Sequence, residues 1–288
     1  MAAGADDDVL LALASLPGVG DAVASAREAC ERLRWHPAMR RRTAEVRAEA
    51  VVRAARCSAA LDGARLAVEL VRDASRGARS LPDDGAGRLV RGAVRALAEA
   101  EHLTAAGGRP LTSAPWQALA RLHVAAAAGL LDDDAVGRPR LAGERVLDGP
   151  GPAGASEAPG PPELTARLEA LSDLLSRPTR APVLVVAAVA QGEVLALRPF
   201  VAGNGVVARA LARALVVGRG LDPTGAVVPE ASQLSDPGAL ATALSGYATA
   251  TPEGVAAWIA YCARTIVEGA GEGGVVADAV VAGRLPPS

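Results

Sequence analysis

The residues best suited to chemistry lie between Leu197 and Arg209, where the chain reads Leu-Arg-Pro-Phe-Val-Ala-Gly-Asn-Gly-Val-Val-Ala-Arg. Gly203, Asn204 and Gly205 form a loop ahead of a helix expected from about Val206 to Val217. Glycines let successive backbone N–H groups converge on an anion, and a helix N-terminus adds partial positive charge. Arg209 stands one turn into that helix, within reach of the same anion, and Arg213 follows four residues later. The chemistry this predicts is recognition of a phosphate. The competing reading is an ordinary Gly-rich turn between two helices, with both arginines solvated. Composition favours the first: Phe200 and Asn204 are the only Phe and Asn in 288 residues. A second spacing of interest is Ser58 and Asp62, four residues apart and therefore on one helical face, just before Gly63. The alternative there is that Asp62 merely precedes a helix end and faces solvent.

The rest of the composition is exclusionary. All 30 basic residues are Arg, so P-loop, Schiff-base and lysine general-base mechanisms are absent. A net charge of -2 leaves no basic excess for gripping nucleic acid. The N-terminus, with Asp6, Asp7 and Asp8 close behind Met1, does not read as a secretory signal. The longest apolar stretch, Val183 to Leu197, is too short for a membrane span. Cys30, Cys57 and Cys262 read as small buried side chains of a cytoplasmic protein. His36, His102 and His123 lack metal-ligand spacing and read as ordinary histidines. Trp35, Trp116 and Trp258 read as core or interface anchors, and Gly18-Val19-Gly20 is no dinucleotide fingerprint.

The elements that must position the loop are helical. Leu164, Leu168, Leu171 and Leu175 keep helical intervals, as do Val255, Trp258, Cys262 and Ile266 behind a Thr251-Pro252 start. Pro115 opens a helix that Gly129 can close, and the segment from Pro37 to Leu61 is uninterrupted by Gly. An all-α class follows, with one short hairpin expected between Gly137 and Leu147. Ser80 to Gly87 breaks the helices of the first third, and Gly149 to Pro162 is a Gly/Pro-rich loop. The expected organisation is an N-terminal helical region over 1–111, a core over 112–268 and a flexible Gly-rich tail over 269–288.

The central segment resembles the signature of the Fic (Fido) family, His-Pro-Phe-x-acid-Gly-Asn-Gly-Arg-x-x-Arg. Pro199, Phe200, Gly203, Asn204, Gly205 and Arg209 match it. Ser58, Asp62 and Gly63 resemble the family's inhibitory motif, Ser/Thr-x-x-x-Glu-Gly/Asn, with Asp in place of Glu. The resemblance implies a helical fold that binds ATP or another nucleotide and transfers AMP to a target hydroxyl. It also implies an inhibitory helix over about 38–75 whose carboxylate pairs with Arg209, and a target-docking flap for a protein partner at 137–147. Asp is one methylene shorter than Glu, so the expected pair is longer or water-bridged.

Three positions depart from the signature: Arg198 replaces the His, Ala202 the acid and Val206 the first Arg. The family's His is the general base, and a guanidinium stays protonated at physiological pH. The family's acid holds Mg²⁺, and Ala202 offers no side-chain oxygen. Losing base catalysis alone costs a factor of ~10² to 10⁴. The expectation is therefore a pseudoenzyme that keeps a nucleotide-phosphate loop of Phe200, Gly203, Asn204, Gly205 and Arg209, with Mg²⁺ not held by the motif. An active transferase with altered chemistry and a non-catalytic helical interaction module are the alternatives, and homo-oligomers remain open.

Overall fold

The computed structural model describes residues 8–104, 108–148 and 158–284. Among them the chain is all α-helical apart from 3-10 turns, loops and an isolated bridge between Ala128 and Leu131. Helices α1 (Val9–Ala14) and α2 (Val19–Arg34) precede the long α3 (Thr43–Leu61), α4 (Val68–Ser75) and α5 (Gly85–Thr104). The short α6 (Arg109–Ser113) leads into α7 (Pro115–Ala127), and then come α8 (Pro161–Ser176), α9 (Val183–Leu197) and α10 (Asn204–Gly218). The chain closes with α11 (Pro229–Ser235), α12 (Pro237–Ala248) and α13 (Pro252–Val281).

Local sequence explains most of these boundaries. Helices α7, α8, α11, α12 and α13 each open on a proline, whose ring presets φ and whose missing N–H has no intrahelical partner there anyway. The Thr251 hydroxyl caps α13 by accepting from the Gly254 N–H at 3.2 Å. Apolar residues surround α9 on nearly every side, and it is accordingly buried among α8, α10, α12 and α13. Trp258 anchors α13 to it, fully buried and donating its indole N–H to the Ala188 carbonyl at 2.7 Å. Helix α10 sits at the centre, packed on α9, α5, α7 and α3. The main apolar core runs from Leu10 to Val280, so the N-terminal helices share it with the rest of the chain, and Leu164, Leu168 and Leu197 form a smaller cluster beside it.

Four expectations are corrected. No strand forms among the described residues of 137–147. Pro139 has no N–H to give a ladder, and other backbone donors of the segment go elsewhere: Arg140 N–H reaches the Pro199 carbonyl at 2.8 Å and Leu147 N–H the Val201 carbonyl at 2.7 Å. The expected tail is helical instead, because α13 continues to Val281 with Gly269, Ala270, Gly273, Val276, Ala277 and Val280 buried; residues 285–288 lie outside the described residues. The segment 38–75 is not one helix, since α3 ends at Leu61, Gly63 turns the chain at φ +100° and α4 starts at Val68. Trp35 is 68% exposed rather than an anchor in the core, bonded to Glu31 at 2.6 Å. Of the Gly/Pro-rich loop, residues 149–157 lie outside the described residues, and α8 begins at Pro161.

Candidate oxyanion site at the start of helix α10

The site begins where α9 stops. Arg198 caps α9 in the left-handed region at φ +45°, and Pro199 cannot continue the helix. Phe200 then turns inward and stacks on His123 of α7, with ring centroids 3.9 Å apart. The His123 Nδ1 accepts from the Gly137 N–H at 2.9 Å, which leaves the proton on Nε2 to be donated to the Ala202 carbonyl at 3.1 Å. Burial pulls the His123 pKa down to about 4, so the ring is neutral and both nitrogens are engaged. The sequence reading took His123 for an ordinary histidine. As a buried, hydrogen-bonded core histidine it fits that reading, and it is the plate against which the motif loop is pressed.

Asn204 stitches the loop shut. Its Oδ1 accepts from the Phe200 N–H and its Nδ2 donates to the Phe200 carbonyl, both at 2.8 Å. Only a short side chain carrying both an acceptor and a donor closes that ring, which accounts for the chain's single Asn. Gly203 stands at φ +82°, a conformation that strains any residue with a Cβ.

Those residues present donors that converge on a carboxylate the sequence did not flag. Asp148 Oδ1 accepts from the Gly203 N–H at 2.6 Å, and Oδ2 accepts from the Asn204 N–H at 3.0 Å and the Asn204 side-chain amide at 2.6 Å. Burial raises the Asp148 pKa, the Asn204 and Gly203 donors work against that rise, and the Asp62 charge adds to it. No spacing rule links positions 148 and 203, so only the fold reveals the contact.

On the other side of the loop, Arg209 is 4% exposed. Its Nε donates to the Ser58 hydroxyl at 2.8 Å, and its Nη2 to the Ser58 carbonyl at 3.0 Å and to Asp62 Oδ1 at 2.8 Å. The Asp62–Arg209 pair is thus direct, not longer or water-bridged. The missing methylene is made up at Gly205, where an added Cβ would lie 2.4 Å from Asp62 Oδ1. Asp62 comes that close to α10 because position 205 has no side chain. The other Asp62 oxygen, Oδ2, is buried without a partner.

Arg213 is neither solvated nor in the cradle; it is buried, donating to the Val227 carbonyl at 3.1 Å and facing Glu101 at 3.5 Å. Val206 is buried in the apolar core. The Arg198 carbonyl accepts from Arg140 Nε at 3.0 Å. Gly63 is exposed beyond the α3 end.

Chemically, this is a cradle of N–H donors facing two carboxylates, Asp148 and Asp62. Arg198 and neutral, engaged His123 cannot take a proton. Among the described residues no cluster of three or more His, Cys, Asp or Glu could hold a metal ion. Both Asp148 oxygens and Asp62 Oδ1 are engaged by N–H donors. Of the four carboxylate oxygens Asp62 Oδ2 alone lacks a donor, and one oxygen falls short of the several oxygen ligands Mg²⁺ takes. No helix among the described residues is long and apolar enough to cross a membrane.

No protein-family model matches the sequence, and no curated protein matches it. Solved structures do. A Fic family protein from Desulfovibrio desulfuricans G20 superposes with a TM-score of 0.70 at 19% identity, covering 94% of this chain and 76% of that one. A segment of Fic-1 from C. elegans gives 0.65 at 16% identity, covering 88% and 71%. A Fic domain-containing signaling protein from Bacteroides thetaiotaomicron VPI-5482 gives 0.64 at 16% identity, covering 92% and 99%. With the all-helical architecture and the loop between α9 and α10 in place, these superpositions establish that the chain has the Fic fold.

Proposed function

We propose that this Fic-fold protein has given up AMP transfer and keeps the start of α10 as a phosphate-recognition site for ATP or another nucleotide. The observation that supports the reading is the convergence of Gly203 N–H, Asn204 N–H and the Asn204 amide on one carboxylate at 2.6–3.0 Å, with Arg209 one turn on. Donors that hold a carboxylate in this way suit a phosphate oxygen equally well. Loss of chemistry is supported by Arg198, Ala202 and Val206, which supply neither a base nor a metal ligand. In this reading Asp62 is inhibitory, because it engages the guanidinium that a terminal phosphate would need.

Titration calorimetry with ATP, with and without Mg²⁺, on the wild type and on Asp62→Ala tests the binding half. Binding by the Asp62 variant, unchanged by Mg²⁺, is expected; no binding to either protein removes the nucleotide. Radiolabelled AMP transfer tests the other half, and label transferred by the wild type and lost in Arg209→Ala would establish an active transferase instead. A non-catalytic interaction module is the second reading, favoured because Asp62 and Asp148 already satisfy the cradle from within the chain. It expects Asn204→Ala and Arg209→Ala variants that still fold to leave partner binding unchanged.

A further inference from the structure

The phosphate reading leaves Asp148 unexplained, and its geometry is informative. Its carboxylate does not lie beside the cradle but occupies it, taking the Gly203 and Asn204 N–H groups and the Asn204 amide. A phosphate oxygen would need those same donors. Two anions cannot share them, so any phosphate bound there displaces Asp148.

The fold also brings a second carboxylate to the same helix end. Asp62 reaches over Gly205 to Arg209, and its charge is felt at Asp148. Two like charges facing one helix N-terminus repel each other, and among the described residues each is held by donors of α10 and its loop, helped by Ser58 on Arg209. The two act on different parts of the site: Asp62 engages the cation, Asp148 the backbone donors.

The segment that carries Asp148 is attached in a way that allows release. It forms no helix or strand of its own between Gly137 and Asp148. It is held by discrete polar ties: Gly137 N–H to His123, Arg140 N–H to the Pro199 carbonyl, the buried Arg140 guanidinium to the Arg198, Leu197 and Pro159 carbonyls, and Leu147 N–H to the Val201 carbonyl. Leu141 and Leu147 are 57% and 67% exposed and contribute little to the core. Segments tied by a few bonds rather than by buried apolar area open locally at modest cost.

We propose that Asp148 is a built-in competitor for the oxyanion position, so that a phosphate-bearing ligand enters only when segment 137–148 withdraws it. This rests on the phosphate reading above and adds a second lock, distinct from Asp62, on the same site. An internal competitor lowers apparent affinity by the fraction of molecules in which it is withdrawn.

The experiment is calorimetry on the full chain with inorganic pyrophosphate and with ATP, comparing the wild type, Asp148→Asn, Asp148→Ala, Asp62→Ala and the Asp62→Ala/Asp148→Ala double variant. Each Asp148 variant is expected to bind at least ~10-fold tighter than the wild type, and the double variant tighter than either single one. Asp148 variants that are folded by circular dichroism yet bind no tighter, while Asp62→Ala does, overturn the competitor and leave the phosphate site standing. No binding by any variant, the double one included, overturns the phosphate site itself. If the Asp148 variants do not fold, amide NMR of the wild type with ATP decides. Joint movement of the Gly203 amide and residues 137–148 supports displacement, and movement of Gly203 alone overturns it.

Discussion

Asp62 Oδ1 and Arg209 Nη2 are 2.8 Å apart across 147 positions of sequence, and the contact exists because Gly205 leaves room for it. An Ala at 205 would put its Cβ 2.4 Å from that oxygen and 2.9 Å from Arg209 Nη2. Gly205→Ala is therefore expected to destabilise the protein by about 1–3 kcal/mol through overpacking. Adding Asp62→Ala removes the clashing carboxylate, so the two changes should be less than additive in a urea-denaturation cycle. Additive values would mean that Asp62 does not occupy this position in solution.

Asn204 carries the loop closure. Asn204→Ala leaves the buried Phe200 N–H and carbonyl without their side-chain partner. At about 1–3 kcal/mol for each unsatisfied buried group, a loss of about 3 kcal/mol is expected by chemical denaturation. A loss below about 0.5 kcal/mol, the range of an ordinary surface substitution, would contradict the closure.

His123 supplies a pH dependence. Its folded pKa is held at about 4 by burial, below the usual value of 6.5. The unfolded chain thus takes up this proton first as pH falls. Stability from the neutral ring is fully present above pH 6.5 and is lost as pH drops toward 4, at up to ~1.4 kcal/mol per pH unit. His123→Phe keeps an aromatic plate beside Phe200 and removes the titration. Its stability-versus-pH curve should be flatter than the wild type's in that window, and parallel curves would disprove the assignment.

Glu230 works in the opposite direction. It is buried, its Oε2 has no hydrogen-bond partner, and burial raises its pKa against the pull of Arg213 and Arg209. A carboxyl whose folded pKa is raised favours folding at pH below its unfolded value, and that contribution is lost as pH rises through the folded one. Glu230→Gln keeps the shape without the charge, so a higher melting temperature is expected at pH 7, with the difference shrinking on acidification. A lower melting temperature at pH 7 would mean that the charge is required in place.

The sequence by itself determined what is local. Helical spacing set the all-α class; Leu197 and Pro199 marked the end of α9; and the Gly203-Asn204-Gly205 loop before a helix was legible from residue types alone. So was the shared face of Ser58 and Asp62, because four residues make about one helical turn. Tertiary structure decided everything that depends on distant segments meeting. Whether Asp62 reached Arg209 depended on how closely α3 approaches α10, which no spacing encodes. Arg213, one turn beyond Arg209, turned away because the carbonyl of Val227 and Glu101 lay on its side of α10. The Gly-rich end of α13 became helix because Val276, Ala277 and Val280 found a core to enter. Most of all, Asp148 entered the cradle across 55 positions. A lone Asp in a loop carries no periodic signal, and it acquires meaning only when folding sets its carboxylate against unsatisfied N–H donors at a helix start.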